Sequence, residues 1–385
     1  MDDIVKRKKK RSGFLPIIVG IIIGTVVGVL ISVFDILPEE PLFPGANIGL
    51  LIAFPFIVAA AGALSGVLIH ELGHLVFGLL TGYKFLSFRL YSMIWFKEGG
   101  RIRFKLSKSF LLGQCLMEPV KDYKQSGFVL YNLGGVIGNL FLAGVMWVLI
   151  FIVNSLMAQF IIGGVLFLNF VFAITNAIPT TSAEAPTDGA NIREGLKSKE
   201  ALRAFHLQLA VNHEVAAGKR YRELDIDSIK PKEGADLSNY LIAYLVALEA
   251  EYWGDSGDPQ KALETLGKLD AEELPAVYRQ NILVSRLQYS MFTDINAARE
   301  LYERDDVKAA LKKSVPEMQI IKAVYEMVVL GNVDDSRARL SKIRKKANDL
   351  PSKGERIMMD EYINQLEITF EKFFVKNIKK PIDKS

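Results

Sequence analysis

The sequence predicts a mainly α protein in two parts. The first is a polytopic membrane helical bundle of about four spans with a small interfacial β-hairpin, and the second is a soluble all-α helical-hairpin domain. Three observations carry this expectation. Half of the 385 residues are hydrophobic, and nearly all the long apolar runs precede Pro179. After it, Lys, Glu, Asp and Arg recur at the density of an ordinary soluble helical protein. Between Lys84 and Leu106 the period changes from helical to alternating. The boundaries that follow are a basic cytoplasmic segment at 1–13, a membrane domain at 14–195 and a cytoplasmic helical domain at 196–385.

Taken in order, "MDDIVKRKKKR" is followed by "GFLPIIVGIIIGTVVGVLISVF", roughly the twenty apolar residues that cross a bilayer. It has no small-residue cleavage site, so it is expected to remain as a first helix with its basic flank inside. The acidic, Pro-rich "DILPEEPLFPGA" suits an outer loop. A second apolar run from Asn47 to Gly82 is too long for one straight crossing, and Pro55 offers a break, which places the crossing helix at Ile57–Leu80. In "RIRFKL", Ile102, Phe104 and Leu106 alternate with Arg101, Arg103 and Lys105, the pattern of a strand with one basic face. With "SMIWF" and the turn "KEGG" it makes a hairpin from Ser92 to Leu106, and "SKSFLLGQCLMEPVKDYKQ" is read as a less regular return to the membrane. Two further runs, "GFVLYNLGGVIGNLFLAGVMWVLIFIV" and "MAQFIIGGVLFLNFVFAITNAI", form a helical hairpin that brings the chain back inside. In the helical domain "GDPQKALETLGKL", "TDINAARELYERD" and "NVDDSRARLSKIRKKA" resemble one another, with Asp258, Asp294 and Asp334 marking their starts. That period is close to the period of tetratricopeptide hairpins, although most of their aromatic and Pro positions are missing.

A net charge of +4 on this length arises largely from the first eleven residues and points to membrane orientation. There is no nucleic-acid motif, so no nucleic-acid partner is expected. The single cysteine, Cys115, rules out an intrachain disulfide and is a poor nucleophile candidate.

The chemistry is concentrated in "HELGH", residues 70–74, inside an otherwise apolar run. Residues four apart share a helix face, so His70 and His74 can present ring nitrogens to one metal ion. Glu71, next to them, can take a proton from a water on that ion and pass it to a leaving nitrogen, which is what peptide hydrolysis requires. Such a triplet at membrane depth costs several kcal/mol unless it faces a cavity, a partner or a metal. A third protein ligand is needed, and "NAIPTTSAEAPTDGANI" at the end of the last span offers two carboxylates, Glu184 and Asp188. His206 and His213 lack neighbouring ligands and read as ordinary histidines.

Over residues 50–195 the chain resembles the site-2 protease family of intramembrane zinc metalloproteases. The likeness rests on "HELGH" followed by Gly82 and Phe88, on Gly135 and Asn139 within "GGVIGN", and on Asn176, Pro179, Asp188 and Gly189. The resemblance implies Zn2+ as cofactor, held by His70, His74 and Asp188, with Glu71 as catalytic base and with Asn139 and Asn176 lining a cleft that holds the substrate backbone. Interhelical hydrogen bonds are the alternative fate of those two amides. One departure concerns the third ligand: the family's usual spacing, eight residues after Asn176, falls on Glu184. The Asp-Gly context and the helix start after it favour Asp188. The implied partners are a membrane protein or peptide substrate, the lipid bilayer, and a protein recognised by the helical domain, which stands where many family members carry a PDZ-type or nucleotide-sensing domain. The implied location is a bacterial cell membrane, both termini cytoplasmic. A catalytically inactive scaffold with a structural zinc site is the competing reading, which an intact Glu71 disfavours.

Overall fold

A computed structural model describes residues 48–120, 122–124, 127–181, 185–313, 315–346 and 353–378. The expected basic segment, first span, outer loop and Glu184 lie outside these residues.

Among the described residues three helices are long and apolar enough to cross a membrane. They are α1 (Ile48–Leu80), α2 (Phe128–Ile152) and α3 (Leu156–Ala177), which match the second to fourth expected spans. Helix α1 is not broken at Pro55 but runs through it. The missing proline N–H costs one backbone bond near the helix start, a loss membrane helices tolerate. At the other end the chain turns on Gly82, whose φ of +91° is a left-handed value that suits glycine. The Tyr83 amide then donates to the Gly78 carbonyl (2.9 Å) and closes the helix.

The chain divides into two compact units, and each of the three spans contributes to both. The smaller comprises residues 1–66 and 140–171. In it, Gly62 lies against Leu168 and Gly164 against Val58, so the helices approach closely where side chains are absent. The fully buried Asn169 donates to Ser65 Oγ (3.2 Å) and to the Val165 carbonyl (2.8 Å). This is the interhelical bonding expected of an amide in an apolar span.

The larger unit, 67–139 with 172–385, holds the end of α1 and then the hairpin. It is much longer than expected: β1 (Lys84–Glu98) and β2 (Arg101–Glu118) pair antiparallel across Gly99 and Gly100. Both glycines have positive φ, as a two-residue hairpin turn demands. The stretch read as irregular is the second half of β2, because register shifts near Phe85 and Tyr91 interrupt strict alternation. At the tip Ile102, Phe104 and Leu106 are exposed, while at the base Phe88, Leu90, Cys115 and Met117 are buried.

Apart from short helical turns such as Ile226–Ile229, the remaining described helices are α4 (Asp188–Leu196), α5 (Lys199–Ala216), α6 (Tyr240–Asp255), α7 (Pro259–Gly267), α8 (Ala276–Ser290), α9 (Ile295–Glu303), α10 (Asp305–Leu311), α11 (Pro316–Val328), α12 (Val333–Lys346) and α13 (Lys353–Ile378). The three similar segments are the second helices of the hairpins α6–α7, α8–α9 and α11–α12. Asp258 and Asp294 are N-caps, accepting from the amides of Lys261 (2.9 Å) and of Asn296 and Ala297 (3.0 and 3.1 Å). Asp334 is not their equivalent. The amides of Ala262, Ala298 and Ser336 bond the carbonyls of Asp258, Asp294 and Asn332, and all three donors are small and fully buried. The third repeat is therefore in register at Asn332, two residues earlier than the run of acids suggested.

That register makes a test. Ala298→Leu and Ser336→Leu are expected to lower stability by roughly 1–3 kcal/mol through overpacking, and Ala338→Leu, on an exposed face, by far less. Ser336→Ala removes a buried hydroxyl that has no hydrogen-bond partner and is expected to raise stability, all four being read from thermal unfolding. Burial pushes the Cys115 thiol up, aided by the Glu71 charge, so the thiolate is scarce at neutral and mildly alkaline pH. Maleimide should label Cys115 only after denaturation.

Candidate metal centre

One turn of α1 sets the geometry. His70 and His74 stand on one face with ring centroids 4.7 Å apart and planes at 87°, and their Nε2 atoms are 3.2 Å apart. Asp188 Oδ2 lies 3.1 Å from His70 Nε2 and 3.5 Å from His74 Nε2. Among the described residues this is the one group of three His, Cys, Asp or Glu side chains that could hold a metal.

The outer nitrogens decide what the inner ones can do. His74 Nδ1 is 2.8 Å from the backbone carbonyl of Tyr131, a group that only accepts, so Nδ1 carries the proton. The Nε2 of that neutral ring is then a bare lone pair. His70 Nδ1 is 2.9 Å from Asn139 Oδ1 and is oriented in the same way. Asp188 Oδ2 is a buried acceptor with no hydrogen-bond partner. With both rings neutral, three lone-pair donors face one another, an arrangement that a cation relieves. Ligands about 2.0–2.1 Å from a tetrahedral zinc stand about 3.3 Å apart, and the observed edges of 3.1, 3.2 and 3.5 Å bracket that value. The donor set therefore fits zinc.

Small residues let the elements close on the site. A Cβ on Gly73 would meet the Gly134 carbonyl oxygen at 2.1 Å, and one on Gly134 would meet the Gly73 carbonyl oxygen at 2.5 Å. Gly135 lies flat on the His70 ring, where a Cβ would fall 2.4 Å from Cε1. Gly135 and Asn139, one turn apart on α2, therefore act on the same imidazole, one by absence and one by hydrogen bond.

Asp188 is delivered by a cap that leaves its carboxylate unused. Thr187, not Asp188, is the N-cap of α4, its Oγ1 accepting from the Ala190 amide (3.2 Å). The same hydroxyl donates to the Ile178 carbonyl (2.8 Å) and accepts from the Thr180 amide (3.2 Å), tying α4 to the end of α3. Gly189 packs so tightly that a Cβ would meet the Ala177 carbonyl oxygen at 2.1 Å.

Glu71 points to the hairpin. Its Oε1 would lie 2.7 Å from a Cβ on Gly113 of β2, and the Cys115 backbone is in hydrogen-bonding reach of the carboxylate. The strand edge near the base is thus at 113–115, not at the tip.

The structure brings together His70, Glu71, His74, Asn139 and Asp188. Asn176 donates to the Phe172 carbonyl of its own helix (2.9 Å). His206 and His213 lie on α5 outside the cluster, His213 Nε2 being 3.7 Å from Glu118 Oε1. Tyr131, Thr187 and Gly113 were not anticipated. Thr187 had a signal, a hydroxyl before Asp-Gly and a helical run. Tyr131 and Gly113 act through backbone or through lacking a side chain, for which sequence offers no mark. Comparison with protein-family models, curated proteins and solved structures finds no match for this chain.

Replacing Asp188 by Ala is expected to lower zinc affinity by at least about tenfold, against little change for Asn176→Ala, measured by chelator competition on purified protein. Tyr131→Phe should leave affinity nearly intact, because His74 uses the Tyr131 carbonyl and the hydroxyl instead donates to the Cys115 carbonyl (3.0 Å).

Proposed function

We propose that this protein is an intramembrane zinc endopeptidase of the site-2 protease type, hydrolysing peptide bonds of transmembrane or membrane-anchored substrates near the cytoplasmic face. The observation that carries the reading is the convergence of His70 Nε2, His74 Nε2 and Asp188 Oδ2 beside Glu71, on and around a helix long and apolar enough to span a membrane. When bound, zinc would acidify a water and polarise the scissile carbonyl.

The protein's own groups have distinct parts. Tyr131 and Asn139 hold the imidazoles with Nε2 inward, and Thr187 holds α4 so that the Asp188 carboxylate completes the set. Glu71 takes the proton of the attacking water and returns it to the leaving amide nitrogen, its carboxylate steadied against the Gly113–Cys115 segment. A helical substrate buries its own amides in hydrogen bonds and must unwind locally before a carbonyl can be attacked. Backbone at a strand edge suits an extended segment of any side-chain composition. The tip residues Ile102 and Phe104 are less suited to that role, since Phe104 lies opposite Trp95 and Gly113 opposite Leu90, five residues of β1 or roughly 17 Å apart.

Glu71→Gln is the decisive change. It is expected to keep zinc at one per chain while lowering cleavage by about 10²-fold or more, because an amide cannot take the proton. The measurement is zinc content of the purified variant together with membrane proteomics of cells producing it or the wild type. Membrane proteins that persist uncut with the variant nominate substrates. Identical proteomes from zinc-loaded wild type and variant would leave the inactive scaffold as the better reading.

A further inference from the structure

Asp188 sits at the first position of α4, a helix of nine residues, so whatever holds the rest of α4 sets where its carboxylate lies. The far end is held by α6. Asn239, the buried N-cap of α6, donates Nδ2 to the Glu194 carbonyl (3.1 Å) and to Glu194 Oε2 (3.3 Å). Its Oδ1 meanwhile accepts from the Leu241 amide (3.0 Å). Beside it the Tyr240 hydroxyl donates to Asn191 Oδ1 (3.0 Å), with Tyr240 only 2% exposed. These bonds grip α4 on its second turn, while Thr187 grips the first.

A second contact reaches His74. Phe205 of α5 packs edge-on against Phe128 (centroids 4.8 Å apart, 74°) and lies 6.3 Å from the Tyr131 ring. Gly195 of α4 is pressed against Phe128, where a Cβ would fall 2.4 Å from the ring. Tyr131 supplies the carbonyl that orients His74. Two of the three donors are therefore braced from α5 and α6.

We propose that Asn239 and Tyr240 are positioning residues for the metal centre, so that the helical domain, through α4, sets how firmly the ion is held. The inference rests on the reading that His70, His74 and Asp188 bind zinc. Metal–ligand distances tolerate only about 0.2 Å, and α4 is a short rigid lever whose rotation about Thr187 displaces Asp188 directly. By linkage, an ion at the site stabilises the α4–α6 contact to the degree that the contact stabilises the ion. A protein bound to the helical domain that shifted α6 would thereby change the metal site.

The test uses the full chain in detergent. Asn239→Asp keeps an oxygen to cap α6 but loses both donors and sets a carboxylate against Glu194. Tyr240→Phe removes one hydroxyl. Tyr244→Phe is the control, since its hydroxyl joins α6 to Asn212 of α5 (3.2 Å) without touching α4. Zinc release into a chromophoric chelator is expected to be about tenfold faster in the Asn239→Asp/Tyr240→Phe double variant, several-fold faster in Tyr240→Phe alone, and within about twofold of wild type in Tyr244→Phe. Adding zinc should slow amide exchange at the start of α6 in wild type and not in the double variant. Tyr240→Phe stands alone if the double variant does not fold. Wild-type release rates in the Tyr240 variant, or equal acceleration by Tyr244→Phe, would overturn the inference. Absence of zinc binding by wild type would instead overturn the metal reading itself, and the inference with it.

Discussion

The bond from His74 Nδ1 to the Tyr131 carbonyl is the interaction on which the centre depends. A carbonyl cannot donate, so it fixes the tautomer, and the tautomer fixes which nitrogen faces inward. With Asn139 doing the same for His70, the inner surface becomes two lone pairs and a carboxylate oxygen crowded within 3.5 Å. Without a cation that arrangement is repulsive and desolvated. With one, three protein donors would be satisfied together, the number that the proposed function calls for.

Close backbone approach makes the bond possible. Gly73, Gly134 and Gly135 remove the side chains that would hold α1 and α2 apart, which brings Tyr131 and Asn139 within reach of the imidazoles. The same economy recurs at Gly189 against α3 and Gly113 against Glu71. In a membrane helix pair, where burial of apolar surface offers little net gain, such contact and the hydrogen bonds it permits are the main source of association. Here they also define the chemistry.

The helical part is continuous with the site through α4. Its repeats pack on fully buried small residues at equivalent positions, Ala262, Ala298 and Ser336, and its first helices bear on the elements that hold Asp188 and His74. Because this array shares contacts with a candidate metal ligand, a displacement at one end is felt at the other.

What the sequence determined by itself was local and periodic. The three described spans follow from uninterrupted apolar length, the His70–His74 pairing from helical repeat, and the helix starts at Asp258 and Asp294 from side-chain capping. Each depends on residues within a turn or a run of one another, where backbone geometry is nearly invariant. The extent of the hairpin escaped notice because register shifts destroy the period that reveals a strand. The register of the third repeat is masked because the first-turn acids at 334 and 335 resemble a start, whereas the buried position, Ser336, answers to packing. Asp188 was expected beside the histidines by resemblance alone, and the tertiary structure puts it 3.1 Å from His70 Nε2; only that structure set Tyr131 behind His74 and laid Gly113 on Glu71. These last contacts are made by a backbone carbonyl and by the lack of a side chain, and neither residue type says which partner, far along the chain, it will meet.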